Sequence, residues 1–249
     1  MKPFLETLIE DGILADGAIG TEIYARGIYF NRCYDELNLS NPTLIQSIHA
    51  DYVKAGSGLI ETNTFTSNRP ALAAFGLEDK VSEINRAGAK IAREVAGSKV
   101  YVAGSVGPIS WTKKNAEAMG KKEMRAIFCE QIDALKDGGV DAIILETFTH
   151  IEELHTAYEA AREVCSLPVI AQVSLKHLGE GEFEGLLPEY AAMAIDHWGA
   201  DVIGVNCCDG PLGVFEAVKR MAEVTDRPLS AMPNAGLPQM VQGRLLYLA

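Results

Sequence analysis

Short, nearly continuous apolar runs alternate along the chain with turns rich in Gly, Asn, Thr and Pro and with longer amphipathic stretches. The runs at 13–15, 58–61, 100–103, 142–145, 168–172, 201–205 and 229–231 predict seven strands. Their lack of apolar–polar alternation suits parallel strands buried on both faces. The stretches at 42–55, 80–96, 121–137, 151–164, 187–198 and 213–225 predict helices. Two of these end near glycine, through 133–139 and 194–199, just before the next apolar run. That is the usual form of a helix-to-strand connection. The recurring β–α order therefore predicts a parallel sheet.

A barrel, a doubly wound sheet or two fused domains would each satisfy that order. The barrel is favoured because polar or unusual residues follow nearly every strand and no interdomain linker interrupts the pattern. The strand-end segments are DGAIGT, ETNTF, GSVGP, ETFTH, QVSLK, GVNCC and MPNAG. In a barrel all of them meet on one rim, whereas in an open sheet only those beside the crevice would. The expected fold is thus an α/β, TIM-type (β/α)8 barrel forming one domain over 1–249. Only seven strands are counted, and 240–249 reads as the opening of the seventh helix. The eighth strand is expected to be absent from this chain, which then holds a barrel truncated at its C-terminus.

Composition narrows the class. The chain has 249 residues and 48% hydrophobic content, close to the roughly 250 residues of a barrel domain. Lys and Arg number 22 against 34 Asp and Glu, so the formal charge is −12. Such an acidic surface argues against nucleic-acid and anionic-membrane binding, which need a positive footprint. No apolar run reaches the ~20 residues of a membrane span, and MKPFLETLIEDG lacks a signal peptide's apolar core. A cytoplasmic protein is expected. Five cysteines, an odd number, fit free thiols better than a disulfide framework. Cys129 and Cys165 fall in predicted helices and Cys33 in a polar loop, which leaves the adjacent pair Cys207 and Cys208.

The chemistry-bearing candidates lie at the strand ends. Asp16 opens DGAIGT, where Gly17 and the following N–H groups could cradle a carboxylate while Asp16 grips an ammonium or closes a turn. Glu61 and Glu146 each end an apolar run, and either could bind an ammonium, act as a base or orient a neighbour. Thr62, Asn63 and Thr64 are expected to add a polar rim. Asn206 can orient a loop or meet a substrate, and Cys207 could serve as a metal ligand, a nucleophile or a buried thiol. Zinc usually takes three protein ligands at catalytic sites, so one adjacent pair does not define its site. His150 and His177 follow strands, Lys176 ends QVSLK, and neither GxGxxG, GxxxxGK[ST] nor GxSxG occurs.

Taken in order, DGAIGT, DELNL, ETNTF, GSVGP, ET, GVNC and MPNAG resemble the homocysteine S-methyltransferase family. DELNL and ETNTF look closer to its cobalamin-dependent methionine-synthase and reductase-fusion branches than to its betaine branch. The resemblance implies a barrel that binds L-homocysteine and Zn2+ and methylates the thiol to give methionine. It assigns Asp16 and Glu146 to the substrate's amino group and the backbone of Gly17 and Ala18 to its carboxylate. Asn206 and Asn234 match rim positions, and Cys207 matches a zinc-binding cysteine. The family's other two metal ligands sit in a GGCCG-like motif, which this sequence lacks. Weak zinc retention by this chain alone is expected. The methyl donor is left open among methylcobalamin, S-methylmethionine and S-adenosylmethionine, with a separate domain as its possible carrier, and so is the oligomeric state. Two other classes remain. One is a zinc-independent barrel aldolase or lyase using Lys176, and the other a catalytically inactive homocysteine-binding or assembly domain.

Overall fold

The computed structural model describes residues 1–29, 32–111, 119–179, 181–208, 210–235, 239–241 and 244–246. Its strands are β1 (Leu59–Glu61), β2 (Tyr101–Val106), β3 (Ala142–Phe148), β4 (Val169–Val173), β5 (Lys176–Gly179), β6 (Glu182–Glu184), β7 (Val202–Asn206), β8 (Leu229–Met232), β9 (Gln239–Val241) and β10 (Arg244–Leu246). The helices are α1 (Phe4–Asp11), α2 (Ile19–Ala25), α3 (Leu37–Ser40), α4 (Pro42–Ala55), α5 (Arg69–Ala73), α6 (Val81–Ala96), α7 (Lys121–Gly138), α8 (Ile151–Val164), α9 (Pro188–Trp198) and α10 (Pro211–Met221). Six strands form one parallel sheet in the order β1-β2-β3-β4-β7-β8.

The first expected strand, 13–15, contributes only a parallel bridge between Ala15 and Leu59. Three residues ahead of a polar turn offer too little ladder to extend it. The segment is still held in place, because Gly58 N and Leu59 N donate to Leu14 O and Asp16 N donates to Leu59 O. Ala15 therefore lies beside β1 where a barrel's first strand belongs.

Alternate residues of the strands divide into two apolar layers. Ile60, Val102, Ile143, Leu145, Ala171 and Ile203 pack outward against the helices. Leu59, Tyr101, Ala103, Ile144, Ile170 and Val202 point the other way and form a single cluster with Phe4. Inward side chains from five strands meeting in one cluster describe a curled sheet with a filled interior, as in a (β/α)8 barrel. An open sheet would instead present two helix-covered faces. Full burial of a side chain such as Phe128 or Leu135 contributes roughly 2–3 kcal/mol.

The helix boundaries follow local chemistry. α4 and α9 begin with proline, whose missing N–H costs nothing in a first turn. α7 and α9 end at Gly139 and Gly199, whose φ values of 90° and 89° turn the chain toward β3 and β7. Two segments depart from expectation. QVSLK continues into a β5–β6 hairpin rather than a simple loop. The 240–249 segment holds antiparallel β9 and β10 rather than a helix opening. No helix among the described residues is long and apolar enough to cross a membrane.

Candidate functional site

The carboxyl ends of the strands bring Asp16, Glu61 and Glu146 together. Asp16 follows the Ala15 bridge, and its Oδ2 accepts from Glu61 N at 3.0 Å. Glu61 ends β1, and its carboxyl lies beside that of Glu146 on β3. Ser105 Oγ on β2 donates to Glu146 Oε1 at 2.5 Å, and Asn206 Nδ2 on β7 donates to Glu146 Oε2 at 3.0 Å. Asp16 Oδ1 and Glu61 Oε1 are buried without a hydrogen-bond partner among the described residues. Among the described residues, the ion pairs of the structure leave all three carboxyl groups without a Lys, Arg or His partner.

Burial dominates their ionisation. It pushes Asp16 up to about 8, and the negative charge of Glu146 adds to the rise. Glu61 is held well above the usual carboxylate range, first by burial and then by the charges of Glu146 and Asp16. Glu146 is raised by burial too, although its hydrogen bonds from Ser105, Glu61, Thr147 and Asn206 oppose the rise. Three acids packed together without a cation cannot all ionise in a buried site. The cluster therefore holds fewer than three negative charges until something positive enters it.

Asn206 joins this cluster to the cysteine loop. Its Oδ1 accepts from Thr147 N at 2.7 Å, and its Nδ2 also reaches Thr147 Oγ1 at 2.8 Å. Thr147 has a positive φ of 65° and lies at an irregularity in the β3–β4 register. A threonine in that region is strained and needs such anchoring. Cys207, next along β7, also has a positive φ, 48°. Its N–H donates to Met232 O and its carbonyl accepts from Ser174 Oγ. Cys207 is exposed at the rim, 3.6 Å from Asn206 Nδ2. The protein packed around its sulfur pushes the thiol up to about 11, with Glu146 adding to the shift. Cys208 is buried in the layer between sheet and helices. Asn234 Nδ2 donates to Cys208 O at 2.7 Å, so MPNAG is tied to the same loop.

The DGAIGT turn is fixed from beneath. Tyr52 Oη of α4 donates to Ala18 O at 3.0 Å, and a Cβ on Gly17 would lie 3.0 Å from the same hydroxyl. Glycine suits this approach, since a Cβ would press on the Tyr52 ring edge and hydroxyl.

Other candidates fall elsewhere. Thr62, Asn63 and Thr64 do not form a rim around a pocket, because all three are buried. Thr62 and Thr64 hydroxyls bond each other and the Ser105 backbone, while Asn63 bonds Tyr34 O and Asn38. Their register beside β2 and α6 puts them between elements, where buried polar groups need partners. Lys176 pairs with Glu184 across the hairpin, and His177 Nε2 meets Glu216 of α10. His150 sits exposed before α8. None of these three touches the carboxylate cluster in the hydrogen bonds of the structure.

The cysteine loop does not make a metal site by itself. Among the described residues no three His, Cys, Asp or Glu side chains are arranged to hold a metal ion. Cys207 is a single rim thiol, whereas zinc sites draw three or four ligands from the protein.

Comparison with known proteins adds to this geometry. A family model described as homocysteine S-methyltransferase matches residues 13–247. Methionine synthase of Mycobacterium leprae is 32% identical over 254 residues, covering 94% of this chain and 21% of that protein. Methionine synthase of Mycobacterium tuberculosis is 33% identical with the same coverages. The chain thus spans about a fifth of the length of these relatives. Among solved structures, the metallated form of the homocysteine methyltransferase MmuM from Escherichia coli superposes with a TM-score of 0.80. It is 23% identical and covers 93% of this chain and 86% of that one, a likeness of fold.

Proposed function

Because the chain belongs to the homocysteine S-methyltransferase family, we propose that it holds L-homocysteine by its amino-acid end and presents the thiol for methylation to methionine. One observation carries this reading: a buried group of carboxyls without a cation among the described residues, joined through Asn206 to the rim cysteine. A substrate ammonium would supply the missing charge between Asp16 and Glu146. The N–H groups around Gly17 and Ala18 would receive the substrate carboxylate. A homocysteine fixed there would extend its sulfur toward Cys207 and Asn234.

The reaction is a displacement at carbon. The substrate thiol gives up its proton, its sulfur attacks the methyl carbon, and the donor departs with the electron pair of the broken bond. The chain's own part is to bind, orient and partly desolvate the amino acid, which converts a bimolecular encounter into a positioned one. Methylcobalamin, S-methylmethionine and S-adenosylmethionine are all admissible donors in this reading, and a further domain would carry the largest of them. Zn2+ belongs to it as well, with Cys207 as one ligand. The described residues do not complete such a site, so no step is assigned to the metal. A cytoplasmic setting, where the five thiols stay reduced, is part of the same reading.

Calorimetric titration with L-homocysteine tests it. Asp16→Ala and Glu146→Ala are each expected to weaken binding by ~10-fold or more, the usual consequence of losing a hydrogen bond to a charged group. Unchanged affinity in both variants would reject the assigned amino-group site.

A further inference from the structure

Glu61 is the part of the carboxyl cluster that the amino-acid reading leaves without a task. Its carboxyl neighbours that of Glu146, and two buried carboxyls so placed do not both ionise. Glu61 Oε1, like Asp16 Oδ1, is buried with no partner among the described residues. Leaving such acceptors unpaired is costly, so the cluster is suited to a donor other than the described residues. Glu146 already accepts from Ser105 and Asn206. With Glu61 and Thr147 bonded as well, its roughly four lone-pair sites are already engaged, so an incoming N–H shares one of them.

A primary ammonium has three N–H donors on one side of its C–N bond, and three carboxyl groups from three neighbouring segments meet here. A metal ion is a poorer match. Metal–oxygen bonds need about 2.0–2.2 Å and close convergence, and no three acidic side chains of the described residues converge that far. Ammonium hydrogen bonds span about 2.7–2.9 Å and tolerate the wider spacing.

We propose that Glu61 is the third arm of an ammonium tripod with Asp16 and Glu146. Its Oε1 accepts one N–H of the substrate's α-ammonium while its own proton is donated to Glu146. The site then selects thiol acids bearing a primary ammonium over their deaminated counterparts. This rests on the amino-acid reading above and adds to it a neutral acid in a specificity-determining role. A glutamine, which also pairs one acceptor with one donor, mimics such a group. A leucine of similar size does not.

Calorimetry on the wild type, Glu61→Gln and Glu61→Leu, each titrated with L-homocysteine and with 4-sulfanylbutanoate, reads the tripod as a ratio of affinities. The wild type is expected to favour homocysteine by ~100-fold, and Glu61→Gln to keep that ratio within about 3-fold. Glu61→Leu is expected to lower the ratio ~10-fold or more while leaving 4-sulfanylbutanoate within about 3-fold of wild type. Thermal melts verify folding, and Glu61→Ala replaces Glu61→Leu with the same expectation if the leucine chain does not fold. A wild-type ratio in the apolar variant would overturn the third arm and leave the amino-acid reading standing. So would an equal loss of both ligands, which marks a merely structural role. A glutamine variant as weak as the leucine one would refute the neutral acid. A wild type that takes both ligands alike, or neither, would sink the tripod together with the amino-acid reading.

Discussion

Asp16 carries a group that folding makes costly to ionise, and the sign of that cost can be measured. Its carboxyl moves from 3.8 to about 8 because of burial, with Glu146 contributing. The folded chain therefore binds more protons than the unfolded chain between those values. Stability from this group is fully present below pH ~4 and is lost as pH rises through about 8. Asp16→Asn keeps an oxygen for Glu61 N but has nothing to ionise. It is expected to gain on the wild type by roughly 1–3 kcal/mol between pH 5 and pH 8. Urea unfolding at both pH values measures the gap, and a constant gap would contradict the shift. Asp16, Glu146, Asn206 and Cys207 were legible as candidates because polar residues ending apolar runs point to a barrel rim. Their partners were not. Ser105 reaches Glu146 from β2 and Tyr52 reaches Ala18 from α4, contacts that depend on strand register and helix rotation. The same register turns Thr62, Asn63 and Thr64 into struts between elements, although ETNTF reads as a polar rim.

At the scale of elements, apolar periodicity located α4 and α8 to the residue because each pairs a clear stripe with a sharp stop at its start or end. It missed the β5–β6 hairpin. The signal was present: Lys176, His177 and Leu178 are followed in the sequence by Gly-Glu-Gly and then Glu182, Phe183 and Glu184. Such short strands take their stability from docking rather than from local propensity. Phe183 is buried, His177 meets Glu216, and Arg220 clamps Glu189 and the Gly181 carbonyl while lying 5.3 Å from the Phe183 ring. The hairpin thus fastens to α10, the helix that follows the cysteine loop. Arg220→Ala removes the clamp from both α9 and the hairpin. Amide hydrogen exchange in 176–184 is expected to accelerate ~10-fold or more, while β3 and β4 stay as slow as in the wild type. Equal exchange in the hairpin would show that Phe183 packing alone holds it.

The whole molecule separates stability from chemistry along the barrel axis. The carboxyl cluster and Cys207 occupy the carboxyl ends of the strands, while α1 closes the amino ends. There Phe4 meets Tyr101 edge-on at 5.4 Å, and the Tyr101 hydroxyl donates to Lys2 O and bonds Thr7. The parallel sheet could be read from β–α recurrence, but this plug could not. FLETLIED is too short to stand out as an amphipathic helix, and its apolar face has meaning only once the inward residues of five strands have met. β8 marks the other limit of the sheet: its residues are half-buried or exposed, whereas β3, β4 and β7 are buried throughout. Packing at the amino ends therefore carries a large share of the interior's cohesion. Phe4→Ala leaves a cavity under Tyr101 and is expected to cost about 3 kcal/mol in urea unfolding. The same variant should bind L-homocysteine within about 2-fold of wild type at 25 °C, because the strands between plug and rim are close-packed and unaltered. A matching fall in affinity would mean that the rim carboxyls take their positions from the plug, and the two ends would then have to be treated as one cooperative unit.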